Sequence, residues 1–222
     1  MSASKSSREK ILESIRTELA RDTTISVMNQ VPESGRVRSY DHCGSLPKAA
    51  LVELMAERLR EYGAQVEQCR TEQLNEVILT QLSASGRRSF VLPQGFQATL
   101  VDARFEFRAD HALLPQEIEE VDGVITHASY GVAESGTIIL HHSASEGRRV
   151  LSLLPDWHLC ILQVTDIVQT LPEYFQRIKV APDLVTLISG PSATADIEMT
   201  RVSGVHGPRF LSVILLAEPV AS

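Results

Sequence analysis

The chain has 222 residues, of which 43% are hydrophobic and 22% are charged, and its formal net charge is −7. These values are ordinary for a globular protein with a core of its own, and the interspersed charges form no basic stripe of the kind that binds nucleic acid. The apolar runs fall well short of the ~20 residues that a membrane-spanning helix needs, and the amphipathic start of the chain lacks an apolar signal core. We therefore expect a cytoplasmic protein that binds no nucleic acid and has no membrane span.

Two amphipathic helices are predicted in the first third of the chain. The first covers residues 7–21, and a segment without sustained periodicity follows it, so we assign residues 1–45 to an N-terminal helix and linker arm. The second covers residues 46–62, where apolar residues recur at helical spacing and Gly63 is placed to end the helix.

Short apolar segments alternate with helical patterns from residue 64 onward. The apolar segments are predicted strands at 64–69, 89–92, 123–126, 137–141, 158–164, 184–188 and 211–217. Helices are predicted at 71–82 and 166–178, the second with Thr170 near its start at capping-box spacing from Glu173. This alternation favours an α/β fold with a mainly parallel sheet, whose central strands are apolar on both faces.

The first polar motif, Gly-Val-Ala-Glu-Ser-Gly-Thr at 131–137, places a carboxylate between two glycines directly before a predicted buried strand. Glycine lets the backbone take a positive φ or come close to a ligand, and a carboxylate held there can orient a substrate hydroxyl or act as a base or nucleophile. The alternative is a tight loop with a solvated glutamate. Glu134 is a candidate catalytic residue, and Gly131, Gly136 and Thr137 are candidate substrate-binding residues.

The second motif, Ser-Gly-Pro-Ser-Ala-Thr-Ala-Asp at 189–196, follows another predicted strand. A helix is predicted to begin here, with Ser192 or Thr194 as its N-cap, and loops after strands of such sheets collect ligands at the carboxyl ends of the strands. Free N–H groups and hydroxyls at a helix start can bind a carboxylate or phosphate. The alternative is a capped helix that binds nothing. The candidate substrate-binding residues are Ser189, Gly190, Ser192, Thr194 and Asp196.

The third motif, Gly-Val-His-Gly-Pro at 204–208, brackets a histidine with glycines before the last predicted strand. A loop histidine can donate or accept a proton near neutral pH, which makes His206 a candidate catalytic residue; the alternative is an ordinary surface histidine. His141 and His142 are neighbours in a predicted strand and point to opposite faces, so we predict no metal site there.

The cysteines exclude an iron–sulfur cluster carried by this chain alone. Cys43, Cys69 and Cys160 are far apart and form no Cys-x-x-Cys pair, so they cannot supply the four thiolates of a cluster or a zinc ribbon. We expect reduced thiols and no cofactor bound by this chain.

The three motifs occur in this order with Pro-Asp-Trp at 155–157 between them, and together they closely resemble the LUD-domain family over residues 46–217. The resemblance implies a three-layer α/β/α fold like that of the superfamily of sugar-phosphate isomerases and CoA transferases, with residues 218–222 as a tail. Two positions depart from the family pattern. Ser135 stands where threonine is common, and Ala193 replaces a frequent arginine, which weakens anion binding at this loop if that arginine pairs with a substrate carboxylate.

The resemblance also implies a role in the oxidation of L-lactate to pyruvate, as the component that acts with two companions similar to iron–sulfur proteins. In this reading the chain carries no cluster and binds its partners and a small hydroxy or keto acid. One alternative is a stand-alone CoA-transferase-like or isomerase-like enzyme that uses Glu134. Another is a structural or regulatory module, which predicts that Glu134→Ala and His206→Ala leave lactate oxidation intact.

Overall fold

The computed structural model describes residues 7–21, 44–96, 100, 102–195, 201–203 and 207–217. The chain divides into two compact units, Met1–Tyr40 and Asp41–Ser222. In the first unit helix α1 covers Ser7–Arg21, as the periodicity predicts. Most of the predicted linker arm and the predicted tail lie outside the described residues.

The second unit contains the remaining helices and all the strands that the structure describes. Its helices are α2 (Lys48–Glu61), α3 (Leu74–Ser85), α4 (Pro115–Glu119) and α5 (Leu171–Arg177). Its strands are β1 (Gln65–Arg70), β2 (Ser89–Leu92), β3 (Glu106–Ala109), β4 (Gly123–Ala128), β5 (Tyr130–Val132), β6 (Thr137–Leu140), β7 (Trp157–Gln163), β8 (Ile167–Val168), β9 (Thr186–Ile188), β10 (Ala193–Ala195), β11 (Arg201–Ser203) and β12 (Phe210–Ala217). None of the described helices is both long enough and apolar enough to cross a membrane.

Six parallel strands form the central sheet in the order β1-β12-β7-β4-β2-β3. A second sheet has the order β8-β5-β6-β9, in which β6 runs antiparallel to both of its neighbours. Helices flank the central sheet, so the predicted α/β fold with a mainly parallel sheet is confirmed.

Successive residues of the central strands alternate between two core layers. Cys160 and Leu162 of β7 pack in the layer that contains α2 and β6, whereas Leu159 and Ile161 pack in the layer that contains α3. Because both faces of the sheet are covered, its central strands are mainly apolar, as the sequence predicts.

Two predicted helix boundaries are confirmed by local hydrogen bonds, and one helix is shorter than predicted. Gly63 ends α2 with a φ of +90° and donates its N–H to Arg60 O. Thr170 Oγ1 accepts from Glu173 N at 3.3 Å and caps α5. The predicted helix at 166–178 begins only at Leu171, because the residues before Thr170 form β8, which pairs with β5.

The predicted helix start at Ser192 or Thr194 is wrong. These residues lead into β10, which runs antiparallel to β11 with Thr194 opposite Val202. Two β-branched residues at paired positions favour a strand over a helix. The argument for an anion site at a helix start therefore does not apply to this segment.

Gly136, in the turn between β5 and β6, packs against the backbone of α2. Its φ is +56°, and a Cβ atom there would lie 2.8 Å from Arg58 Cβ and 3.0 Å from the Arg58 carbonyl carbon. Gly86 has a φ of +71°, and a Cβ there would meet nothing within 4 Å.

Both Gly136→Ala and Gly86→Ala incur the cost of a left-handed residue, about 1–2 kcal/mol. Because only the first also forces backbone atoms apart, we expect Gly136→Ala to lower the free energy of unfolding by about 2 kcal/mol more than Gly86→Ala. Urea denaturation of the two variants measures this difference. Equal losses would mean that the turn moves away from α2 without cost.

Candidate functional site

The second and third motifs meet in one cavity of about 400 Å³. Residues 189–192 line it from one side, and Gly207 and Pro208 line it from another. Ser192 N donates to Pro208 O at 2.8 Å, which holds the two segments together. Residues 189–192 of the second motif and residues 207–208 of the third therefore contribute to a single site, whose other walls come from elsewhere in the chain.

The cavity lies beside the amino ends of two central strands. His158 and Leu211 line it, and each is the second residue of its strand, β7 or β12. The motif at 189–192 does follow the end of a strand, as predicted, but that strand is β9 at the edge of the second sheet. The cavity thus lies between the end of a strand of the second sheet and the amino ends of two central strands.

Arg149 supplies a positive charge to the cavity lining. Its guanidinium makes no hydrogen bond or ion pair with any described residue, whereas the neighbouring Arg148 donates to both carboxylate oxygens of Asp110 at 2.8 and 2.5 Å. The family resemblance implies weakened anion binding at this loop if the arginine that Ala193 replaces pairs with a substrate carboxylate. Arg149 brings a cation to the cavity that residues 189–192 line. Nothing in the sequence around Arg149 indicates that it lies near this loop, so the sequence does not predict it as a site residue. An unpaired arginine of this kind can bind a carboxylate or a phosphate.

His158 is a buried polar residue of the lining, with 1% of its surface exposed. Its Nε2 lies 2.8 Å from Thr126 Oγ1, which is also 3.8 Å from Cys160 Sγ. Burial lowers the pKa of His158 to about 4, so the ring is neutral at pH 7. Burial likewise raises the pKa of the Cys160 thiol to about 12, which keeps it protonated. The sequence holds one signal for His158: a polar residue in an apolar central strand needs a hydrogen-bond partner.

His142 joins Thr186, the first residue of edge strand β9, to the turn that contains Gly147. Its Nδ1 lies 2.9 Å from Gly147 O, and its Nε2 lies 2.7 Å from Thr186 Oγ1. Because a carbonyl oxygen only accepts, Nδ1 carries a proton and donates it to Gly147 O. Thr186 itself lines the cavity, so His142 fixes the position of that wall.

Glu146 organises the turn that carries His142. Its side chain is 2% exposed, and its carboxylate accepts from Ser129 Oγ at 2.5 Å, His141 N at 2.7 Å and Ser143 N at 3.0 Å. The sequence gives no sign of this role, since Ser-Ala-Ser-Glu-Gly reads as an ordinary polar loop.

Glu134 of the first motif lies in the exposed turn between β5 and β6, and it is not among the residues that line the cavity. Its carboxylate accepts from Gln169 Nε2 at 2.9 Å. A chain of hydroxyls still joins the turn to the cavity. Ser135 Oγ lies 2.7 Å from Thr137 Oγ1, which lies 2.8 Å from Ser189 Oγ.

The two glycines of the first motif are packed against protein atoms. A Cβ atom on Gly131 would lie 2.6 Å from Leu162 Cδ2, and one on Gly136 would meet α2. Backbone contact with α2 thus requires glycine at Gly136, whereas the atoms nearest to Gly131 belong to side chains. The roles of both glycines as substrate-binding residues stay predictions. The side chain of Thr194 and the whole of Asp196 and His206 lie outside the described residues, so their predicted roles stay predictions as well.

Three comparisons relate the chain to known proteins. The family described as LUD domain matches residues 50–216, which include the whole described lining of the cavity. Lactate utilization protein C of Deinococcus radiodurans is 35% identical over 175 residues, which cover 77% of this chain and 82% of that protein. The protein of the same name from Halalkalibacterium halodurans is 30% identical over 174 residues, covering 71% and 75%. The crystal structure of a DUF162 family protein from D. radiodurans aligns with a TM-score of 0.61 and 28% identity, over 78% of this chain and 99% of that chain.

Proposed function

Because this chain belongs to the LUD domain family, we propose that it is a component of a lactate utilisation system and binds a small 2-hydroxy or 2-keto acid. The relatives named lactate utilization protein C, at 35% and 30% identity, support the pathway. The observation that carries the proposal is the unpaired guanidinium of Arg149 in the cavity lining, which supports the binding of an acid.

The lining of the cavity suits a short carboxylic acid. The unpaired guanidinium of Arg149 can form charge-assisted hydrogen bonds with a carboxylate, and the hydroxyl of Ser192 has no partner among the described residues. Leu211 and Ile188 offer apolar contact to a short carbon chain. The volume, about 400 Å³, falls in the lower part of the range of about 300–1,000 Å³ found for small-molecule sites.

We further propose that the system oxidises L-lactate to pyruvate and that iron–sulfur partner proteins take up the electrons. The oxidation of a 2-hydroxy acid to a 2-keto acid releases two electrons and two protons, so an acceptor is required. Cys69 and Cys160 are buried in different core layers, and burial raises the pKa of each thiol. This arrangement supports the assignment of electron transfer to partners.

A stand-alone enzyme that uses Glu134 has weaker support. A CoA-transferase-like nucleophile or an isomerase base must reach its bound substrate. Glu134 instead lies on an exposed turn with its carboxylate held by Gln169, and it does not line the cavity.

Reduction of an artificial electron acceptor, dependent on L-lactate, tests the proposal in cells that lack only this chain. We expect activity to be lost in these cells and restored by the wild-type chain. We also expect Glu134→Ala to restore most of it, because Glu134 lies outside the cavity lining. Immunoblots must show equal amounts of both proteins.

Two outcomes would change the assignment. Full activity in cells without the chain would remove the protein from lactate oxidation. Failure of Glu134→Ala at a normal protein level, with wild type active, would move the chemistry to the first motif and favour the stand-alone enzyme.

A further inference from the structure

A second concavity, which we call the arginine pocket, lies on the other face of the central sheet from the cavity described above. Its volume is about 290 Å³, and its described lining consists of Ser83, Gly86, Arg87, Arg88, Arg104 and Phe105. Phe105 packs with the core layer that contains α3, whereas Leu211 of the first cavity packs in the layer that contains α2. The two share no described lining residue, so the arginine pocket is a separate place on the molecule.

The arginine pocket is basic in a protein whose formal net charge is −7. Half of its described lining residues are arginines, and none of them is acidic. Arg87 and Arg88 directly precede β2, and Arg104 lies in the loop before β3. Because β2 and β3 are parallel neighbours, both loops lie at the same end of the sheet, which brings the three arginines together.

Arg87 is held in position before any ligand binds. Its Nη1 donates to Ser85 O at 3.3 Å, and its Nη2 donates to Asp156 Oδ2 at 3.1 Å. The guanidinium carbon also lies 4.6 Å from the centroid of the Phe210 ring. These contacts use two of the five N–H groups of an arginine, and a side chain already held in place loses little conformational freedom when a ligand binds.

The other two arginines also have donors to offer. Arg104 donates from Nε and Nη2 to the carboxylate of Asp102 at 3.0 and 2.7 Å, which again leaves three of its five N–H groups. The side chain of Arg88 makes no hydrogen bond or ion pair with any described residue, and only its backbone N–H donates, to Asp122 at 2.9 Å. The pocket thus combines one unpaired positive charge with unused donors on two paired arginines.

We propose that the arginine pocket binds a small phosphate ester. A single arginine can satisfy both oxygens of a carboxylate, whereas a phosphate monoester presents three terminal oxygens and close to two negative charges at pH 7. Three arginines with free donors therefore suit a phosphate better than a carboxylate. The volume is close to the lower limit of about 300 Å³ for small-molecule sites, and Phe105 offers apolar contact to the esterified group.

Calorimetric titration of the purified full-length protein at pH 7 tests this proposal with phenyl phosphate, inorganic phosphate and benzoate. Inorganic phosphate lacks the ring, and benzoate keeps the ring but carries a carboxylate. We expect wild type to bind phenyl phosphate more tightly than inorganic phosphate, and at least about 10-fold more tightly than benzoate. Arg88→Ala should weaken the binding of phenyl phosphate by about 10-fold or more, since it removes the unpaired charge.

Two further variants locate the site. Arg70→Ala removes an exposed arginine at the last residue of β1, at the opposite end of the central sheet from the arginine pocket. Arg149→Ala removes the arginine of the first cavity. We expect both to bind phenyl phosphate within about twofold of wild type, because a distant charge is screened by salt.

Four outcomes would contradict the proposal. Failure of wild type to bind phenyl phosphate, or equal affinity in wild type and Arg88→Ala, would overturn it. Loss of binding in Arg149→Ala would move the phosphate to the first cavity. Benzoate bound as tightly as phenyl phosphate would overturn the assignment to phosphate, and inorganic phosphate bound as tightly would exclude the esterified group from the pocket. The proposal does not depend on lactate binding, which the variants of the first cavity test separately.

Discussion

Arg149→Ala is expected to weaken the binding of L-lactate by the purified protein by between about 10-fold and about 100-fold. The guanidinium lines the cavity and is not paired with any described residue, so its charge is available to a ligand. Hydrogen bonds to a charged group contribute about 1.5–3 kcal/mol, which gives this range of affinity. Arg149→Lys should lie between wild type and Arg149→Ala, because lysine keeps the charge and loses the planar two-donor geometry.

Arg108→Ala is the matched control for the loss of one positive charge. Arg108 is a half-buried residue of β3 that pairs with Glu106 at 2.7 Å, and it does not line the cavity. We expect its substitution to leave lactate affinity within about twofold of wild type, since a charge that does not line the cavity is screened from the ligand by solvent and salt. Equal affinity in Arg149→Ala and wild type would exclude Arg149 as the carboxylate partner.

Glu146→Ala is expected to lower the free energy of unfolding by about 4 kcal/mol. Its buried carboxylate accepts from the backbone N–H groups of His141 and Ser143 and from the Ser129 hydroxyl. Without the carboxylate, these donors are left unsatisfied, at a cost of about 1–3 kcal/mol each. Urea denaturation measures the loss. The stability of Glu146→Gln should fall between those of wild type and Glu146→Ala because glutamine keeps one acceptor oxygen.

Glu146→Ala is also expected to disturb the cavity lining. Glu146 holds the turn that carries His142, and His142 in turn holds Thr186 in the cavity lining. Glu119→Ala is the control, because Glu119 is an exposed carboxylate of α4. A loss below about 1 kcal/mol in Glu146→Ala would mean that water replaces the carboxylate and that the turn does not depend on it.

The central strands were predictable because their residues are apolar on both faces. The runs around Ile161 and Ile214 need no tertiary information, since continuous apolar segments of this length suit a covered parallel sheet. The C-terminal end of α2 and the start of α5 were predictable because their signals are local. Gly63 and Thr170 form their hydrogen bonds with residues three positions away, so the sequence contains both partners.

The short strands could not be predicted in the same way. Strand β8 has two residues and β5 has three, too few for any periodicity. Strand β10 carries good capping residues, and only its pairing with β11 overrides the local preference for a helix start.

The candidate site was predictable only in part, because the sequence shows motifs and not what they face. The glycine- and serine-rich stretches indicated two loops that line the cavity. Arg149 and His158 come from a 3-10 segment and a central strand, and only the packing of the two sheets brings them to Ser192. The likeness to CoA transferases and the iron–sulfur partners stay predictions.

A crystal structure of the full-length protein with L-lactate tests most directly whether this cavity is the ligand site. We expect the carboxylate at hydrogen-bonding distance, about 3 Å, from the Arg149 guanidinium. Lactate bound at the Glu134 turn, or an empty cavity at saturating lactate, would contradict the assignment of the site.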